Sequence, residues 1–329
     1  MKAEAIFDVR GQVAFITGAA SGLGLSMSEA MADNGAHVVM TDIDQANLDI
    51  HVARLAERGC SVEGIQLDIG DLDRLRAVIN EVAARHGKLD SVFANAGITS
   101  GPGFHFPEWR LEVYPSEMWE KVLHINLTSI FVTMQTAAVH MKKQGSGRII
   151  VTASIAGLRS EGNVGYGYIA TKAGIINVVR HAAMDLAPYK ICVNAIAPGP
   201  FLTNIAGGRL HREPEVAKSF AELVPQQRLA DPSEIQGLAL LLASPASSYI
   251  TGTVMVLEGS AVAEIEGVEH ALGATDTTWI PAETPHRFRN ASNTERMRIY
   301  WTYASIDATR TVIATGVTTR IDEEHGVAP

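Results

Sequence analysis

Short apolar runs of strand length recur along the first 258 residues, and each is followed by a stretch with helical spacing. VAFIT (13–17), HVVMTD (37–42), SVEGIQLD (61–68), SVFANAG (91–97), GRIIVTAS (147–154), KICVNAIAPG (190–199) and TGTVMVLEG (251–259) are the strand candidates. Between the early ones, apolar positions repeat at helical intervals up to Asn34, up to Arg58, and from Asp71 to His86. DPSE (231–234) reads as a helix start, and the apolar IQGLALLLASPA (235–246) behind it as a packed core helix too short to cross a bilayer. Continuous apolar strands separated by helices imply an α/β fold with a doubly wound parallel sheet covered on both faces.

Past Gly259 the texture changes. AVAEIEG, VEHAL, TTWIP, HRFRN, MRIYWTYAS and TRTVIATG are short β-rich runs broken by Gly267, Gly273, Pro281 and Pro285. Helical periodicity is gone, which is an all-β pattern. Two domains are expected, 1–258 and 259–329, with no linker between them.

Composition narrows this picture. The chain has 329 residues, 47% of them apolar and 19% charged, enough to bury a substantial core. Its 27 basic and 36 acidic residues leave a formal charge of −9, which argues against nucleic acid as a partner. The N-terminal MKAEAIFDVRGQ lacks the apolar core of a signal peptide. Cys60 and Cys192 stand far apart without metal-ligand neighbours, as small apolar residues of a reducing compartment do. A cytoplasmic protein with no membrane segment is expected.

TGAASGLG (17–24) sits between the first strand and the first helix, the context in which a Gly-rich turn cradles phosphate. Gly18, Gly22 and Gly24 would permit a tight turn and close backbone approach, and the helix start would offer free N–H groups to a pyrophosphate. Asp42 closes the second strand, eighteen residues after Gly24, where an acid suits ribose hydroxyls and repels a 2′-phosphate. No Lys or Arg lies in the turn or in 40–44 to offset it, so NAD is expected over NADP. Further along, YGYIATK (166–172) places Tyr168 and Lys172 one helical turn apart on one face, with Tyr166 off it. A lysine there would lower the phenol's pKa and make a proton-transfer group. The spacing alone fits an ordinary surface helix better.

Together these stretches resemble the short-chain dehydrogenase/reductase family over about residues 8–258. The motifs appear in order: TGAASGLG, Asp68 in LDI, ANAG (94–97), Asn126 in HIN, Ser154 in TAS, YIATK (168–172) and PGPFLT (198–203). The resemblance implies a Rossmann-type fold and an NAD-dependent oxidoreductase that interconverts a secondary alcohol and a ketone. It implies Tyr168 as acid/base, with Lys172 lowering its pKa and holding the nicotinamide ribose. Ser154 would bond the substrate oxygen, and Asn126 would anchor a water linking Lys172 to solvent. Cofactor contacts are implied for Gly18, Ser21, Gly22, Leu23, Gly24, Asp42, Asp68, Ile69, Asn95, Ala96, Gly97, Tyr168, Lys172, Pro198, Gly199 and Thr203. Asp68 would hold the adenine, Asn95 would lie against the adenosine side, and Pro198, Gly199 and Thr203 would border the nicotinamide. The family usually forms tetramers, so a homo-oligomer is expected.

Two segments are expected to shape the substrate pocket: 97–119, rich in aromatics, and 201–224, with a Gly207–Gly208 pair. His105, Arg209, His211 and Arg212 are its candidate polar contacts. The tail resembles part of a cupin domain over 257–303, chiefly through IPAETPHRFRN (280–290). The histidine pair of the first cupin motif is missing, leaving His286 as a lone ligand, so no bound metal is expected. An incomplete half-barrel would leave sheet edges to be covered, at an interface between subunits for instance. A non-catalytic NAD sensor and a bifunctional enzyme with a metal-dependent cupin are the rival readings. The proton-transfer set argues against the first, and the missing histidines against the second.

Overall fold

In the computed structural model the described residues are 2–257 apart from 223 and 225, together with five short strands beyond them. The chain divides into two compact units, Met1–Glu258 and Gly259–Pro329.

The first unit is built on seven strands: β1 (Val13–Thr17), β2 (His37–Asp42), β3 (Val62–Gln66), β4 (Ser91–Ala94), β5 (Gly147–Thr152), β6 (Ile191–Pro198) and β7 (Val254–Leu257). They form one sheet in the order β3-β2-β1-β4-β5-β6-β7, parallel throughout. The helices are α1 (Ala3–Ile6), α2 (Gly22–Asp33), α3 (Gln45–Glu57), α4 (Leu72–His86), α5 (Ser116–Leu123), α6 (Ser129–Gln144), α7 (Tyr166–Leu186), α8 (Ile205–Arg212), α9 (Pro214–Ala221) and α10 (Gln236–Ala243).

Strand alternation sends successive side chains to opposite faces, and both faces are dry. Val13 and Phe15 join a core with α4, α6 and α7, whereas Ala14 and Ile16 join a second core with α2, α3 and α10. This double burial is why the strands read as unbroken apolar runs. The chain winds outward from β1 to β3 and then crosses back to β4. The crevice outside the carboxyl ends of β1 and β4 is thus the topological switch point, where such sheets take ligands.

Local signals hold well. Asp71 accepts from the Arg74 N–H to cap α4. Asp231 and Glu234 form a reciprocal capping box at the DPSE stretch, which opens as a 3₁₀ turn before α10. Such caps each stabilise a helix by roughly 1 kcal/mol. The strands are shorter than the apolar runs suggest: β4 stops at Ala94 and β5 at Thr152, because the following residues turn into the crevice. The run 235–246 forms the short helix α10, and among the described residues a longer apolar helical stretch is Ser116–Gln144, where α5 and α6 join through a π turn at His124–Thr128. By length and composition it could cross a membrane, but half of it is buried inside the fold, packed on α4 and the sheet.

In the second unit, β8 (Ala261–Ile265) pairs antiparallel with β9 (Val268–Leu272) and β10 (His286–Arg289). A separate hairpin joins β11 (Thr309–Val312) and β12 (Val317–Arg320). AVAEI, VEHAL and HRFR are therefore strands, with His286 opening β10 opposite Ile265 and His270 opposite Ala263. The expected runs TTWIP and MRIYWTYAS lie outside the described residues.

Candidate active site

The Gly-rich turn lies at the carboxyl end of β1. Gly18 and Gly22 take φ of +67° and +53°, the left-handed region that favours glycine. A Cβ on Gly24 would sit 2.0 Å from the Gly18 carbonyl oxygen, so glycine there lets the helix start press on the turn. Ser21, the N-cap of α2, makes no capping bond with its hydroxyl, which leaves first-turn N–H groups open to an anion. Leu23 faces inward onto the second core. Asp42 is anchored beside the turn: its Oδ2 accepts from Ala20 N at 3.0 Å and its Oδ1 from Asp44 N at 3.0 Å. Thr203 reaches over the same turn, its Cγ2 3.2 Å from where a Gly22 Cβ would stand. Pro198 is buried at the end of β6, followed by the half-buried Gly199. The glycine turn, Asp42, Thr203 and the end of β6 are thus gathered at the switch point, an arrangement that fits a dinucleotide.

Four expected contacts already have partners within the protein itself. Asn95 donates from Nδ2 to Thr17 O at 3.0 Å, and its Oδ1 accepts from Thr152 Oγ1 at 2.9 Å. Its amide therefore braces the ends of β1, β4 and β5. Ala96 adds to this brace by donating its N–H to Thr17 Oγ1 at 3.0 Å. Asp68 is exposed, with Oδ1 accepting from Gly70 N at 2.8 Å, and Ile69 packs on the first core.

The catalytic candidates converge on the same end of the sheet. Ser154 follows β5, and Tyr168 and Lys172 share one face of α7. The Ser154 hydroxyl is hydrogen-bonded to the Tyr168 phenol. Lys172 is 3% exposed; its Nζ donates to Thr152 O at 2.6 Å and lies 5.5 Å from the centre of the Tyr168 ring. No carboxylate among the described residues compensates it, and burial pushes its pKa from 10.5 down to about 8. Burial likewise pushes the Tyr168 phenol up, and the Ser154 hydroxyl offsets part of that. The direction is opposite to the lowering expected from Lys172: within the protein alone, burial sets the direction and Ser154 is the group that opposes it.

Asn126 is fully buried in the π turn. Its Oδ1 accepts from Ile98 N at 2.8 Å and its Nδ2 donates to Ile98 O at 2.7 Å. The side chain expected to anchor a water therefore holds the exit of β4 first of all. A π turn in such a place often marks a functional site. Gly97 lies beside it: a Cβ there would come within 3.1 Å of Asn126 Oδ1 and 3.9 Å of Lys172 Nζ.

What fixes the start of α7 has no signature in the residue pattern. Its N-cap, Gly165, has no side chain, and Ser100 from the 97–119 segment serves instead, its Oγ accepting from Tyr168 N at 2.9 Å. Tyr114 donates its hydroxyl to Ser100 O at 3.0 Å. Gly165 is needed for this approach, since a Cβ would fall 2.2 Å from Ser100 O. Tyr166 stacks edge-on against Tyr114 at 5.5 Å, and Tyr114 against Trp109 at 5.9 Å. The two pocket segments also touch: the Arg209 guanidinium lies 5.8 Å above the Phe106 ring and is paired with Glu213. An open cavity of about 400 Å³ is lined by Phe104, His105, Arg110, Leu111, Glu112 and Tyr166, and none of Ser154, Tyr168 or Lys172 reaches it.

Residues 18–259 match the family model described as enoyl-(acyl carrier protein) reductase. The chain belongs to the short-chain dehydrogenase/reductase family. It is an oxidoreductase of that family, whose members bind a nicotinamide cofactor. It is 34% identical over 256 residues to a 3-oxoacyl-[acyl-carrier-protein] reductase of Thermotoga maritima, covering 77% of this chain and 99% of that one. It is also 34% identical over 248 residues to cis-4-hydroxycyclohexanecarboxylate dehydrogenase of Sinomonas cyclohexanicum, covering 75% and 95%. Among solved structures, a gluconate 5-dehydrogenase from Burkholderia cenocepacia J2315 in complex with NADP and tartrate superposes with a TM-score of 0.70 at 28% identity, covering 78% and 96%. Residues 250–303 match the cupin domain model. A short-chain dehydrogenase/reductase core followed by a cupin-type segment is thus the architecture of this protein.

Proposed function

We propose that this short-chain dehydrogenase/reductase uses NAD to interconvert a secondary alcohol and a ketone, with Tyr168 as the acid/base. The observation that carries the reading is the convergence of Ser154, Tyr168 and a buried, carboxylate-free Lys172 beside a glycine cradle. The bound cofactor would accept or donate the hydride and, when oxidised, bring a positive charge next to the phenol. Gly18, Ser21, Gly22 and Gly24 would hold its pyrophosphate, and Asp42 a ribose. Gly97, Pro198, Gly199 and Thr203 would border the nicotinamide, with Leu23, Ala96, Asp68, Ile69 and Asn95 shaping or bracing the remaining wall. Lys172 Nζ has protons left for the second ribose after bonding Thr152 O. Ser154 Oγ would hold the substrate oxygen while Tyr168 Oη moves the proton, each worth typically 10²-fold or more in such sites. Asn126 would keep the β4 exit in place and open a water path toward Lys172.

The preference for NAD rests on Asp42, whose carboxylate is fixed by two backbone N–H groups with no cation in 17–24 or 40–44. A 2′-phosphate would face that charge directly. The ring alcohol named for the Sinomonas relative and the Trp109–Tyr114–Tyr166 stack together favour a cyclic alcohol. We place the enzyme in the cytoplasm as a homo-oligomer, a dimer or tetramer, with the β extension at an interface. Phe131, Val139 and Met184, exposed on α6 and α7, supply apolar surface for association. Following absorbance at 340 nm with a panel of cyclic and acyclic secondary alcohols, with NAD and with NADP, tests the proposal. Turnover of a cyclic secondary alcohol with NAD is expected. No turnover of any alcohol or ketone with either cofactor would refute it.

A further inference from the structure

At the opposite end of the sheet from the switch point, three side chains crowd one spot that the proposed chemistry does not use. His37 opens β2, while Asp42 closes it, so about 16 Å of strand separates this spot from the cofactor side. Glu63 lies on β3 with Val39 as its register partner, on the same face as His37. That face packs on α4, and α4 ends at His86, where Gly87 turns the chain with φ of +70°. The ligand-type atoms of His37, Glu63 and His86 all lie within 4.8 Å of one another.

We infer that His37, Glu63 and His86 form a binding site for a divalent transition-metal ion of the Zn²⁺ type. Two imidazoles and one carboxylate are a set that this ion takes, with a fourth position left to water. Glu63 Oε1 stands 3.0 Å from His86 Nε2 and 3.5 Å from His37 Nε2. Ligands on a tetrahedral ion at about 2.0–2.1 Å are separated by roughly 3.3 Å, so the spacing suits an ion at their centre. His37 points the same way by its hydrogen bonding. Its Nδ1 lies 2.7 Å from Ser61 Oγ, the outer contact that orients a metal-binding imidazole. Its Nε2 is shut off from solvent and has only the long 3.5 Å approach to Glu63 Oε1, short of a well-formed hydrogen bond. With Nδ1 donating its proton to Ser61, the Nε2 lone pair faces a carboxylate, and a bridging cation relieves that opposition. All three residues are partly buried, with side chains 22–28% exposed, so an ion can reach them.

Arg85 is the competitor. Its guanidinium holds Glu63 Oε1 at 2.7 Å, and its side chain is 50% exposed, free to swing into water when an ion arrives. The ion would fasten the edge strand β3 and β2 to the end of α4, away from the catalytic groups.

The test uses tag-free, full-length protein stripped with a chelator. ZnCl₂ titration by calorimetry should show one saturable site per chain, and Co²⁺ should give the intense visible bands of tetrahedral coordination. His37→Gln and His86→Gln should each abolish that site while retaining their far-UV spectra and NAD binding. His286→Gln, in the cupin-type segment, should leave it intact. Ser61→Ala should weaken Zn²⁺ binding by about 10-fold or more, and Arg85→Met should tighten it by about the same factor. The inference fails if wild type shows no saturable site, if both histidine variants bind as wild type does, or if His286→Gln alone removes binding. It also fails if Co²⁺ gives only the faint bands of a hydrated ion.

Discussion

Lys172→Met should stabilise the free protein while destroying its activity. The ammonium is held in a 3%-exposed position with no carboxylate partner, and its pKa falls from 10.5 to about 8. A depression of that size corresponds to about 3 kcal/mol given up in the folded state to keep the charge. Removing the ammonium also strips its 2.6 Å bond from Thr152 O, which costs about 1–2 kcal/mol. The net gain is therefore about 1–2 kcal/mol, or a few degrees in Tm for a domain of this size. The sign follows from linkage. Below pH 8 both folded and unfolded chains carry the proton, and the full penalty applies. From about 8 to 10.5 the unfolded chain binds more protons than the folded one, so wild-type stability rises with pH and the penalty fades. The advantage of Lys172→Met should be largest below pH 8 and gone by about 10.5. Thermal melts of both proteins without cofactor, at several pH values, measure it. A variant that melts below wild type at pH 7 would refute the claim that Lys172 is an uncompensated buried charge.

Tyr168→Phe should lose turnover while still binding NAD by fluorescence titration, whereas Tyr166→Phe, which keeps the ring that stacks on Tyr114 and lines the neighbouring cavity, should keep most of it. NAD should be preferred over NADP by about tenfold or more in kcat/KM, about 1.4 kcal/mol, and Asp42→Ala should narrow the gap; equal values for wild type would displace Asp42 from the ribose. Gly24→Ala should lose cofactor binding or folding altogether, because its Cβ would need the 2.0 Å now separating it from Gly18 O; an active, wild-type-like variant would show that α2 can shift freely. Alcohol oxidation should speed up with rising pH and ketone reduction should slow, since burial raises the Tyr168 phenol; parallel pH profiles for the two directions would count against Tyr168 as the titrating group.

The parallel sheet was legible because strands buried on both faces leave unbroken apolar runs: VAFIT became β1 to the residue, and GRIIVTAS became β5 short of its last two residues. The glycine turn was legible because positive φ and close packing leave few alternatives to glycine at 18, 22 and 24. What could not be read was hydrogen-bond commitment. Asn95 and Asn126 stand in motifs that signal a cofactor site, but their amides are spent on Thr17, Thr152 and Ile98, strands or loops 28 to 78 residues distant. Residue spacing reports which groups share a face; it carries no record of which backbone atoms that face meets. The burial that raises the Tyr168 phenol was out of reach for the same reason, since it is a property of the packed fold and spacing speaks only of the lysine.

Ser100 shows how much depends on such contacts. Nothing in GITSGPG marks that serine, yet it is wholly buried and caps the helix that carries Tyr168 and Lys172. The cap belongs to the segment whose aromatic residues, Trp109 and Tyr114, run up to Tyr166. Tyr114 closes the circuit by bonding Ser100 O, and its hydroxyl is 3.4 Å from Gly167 N. A helix start without its own side-chain cap leaves N–H groups that must be satisfied elsewhere. Here they are satisfied by the loop beside the proposed substrate pocket. Movement of that loop would therefore loosen the first turn of α7, where Tyr168 sits. Tyr168, the proposed acid/base, and the 97–119 loop share hydrogen bonds, so a change in one is felt by the other without passing through the sheet.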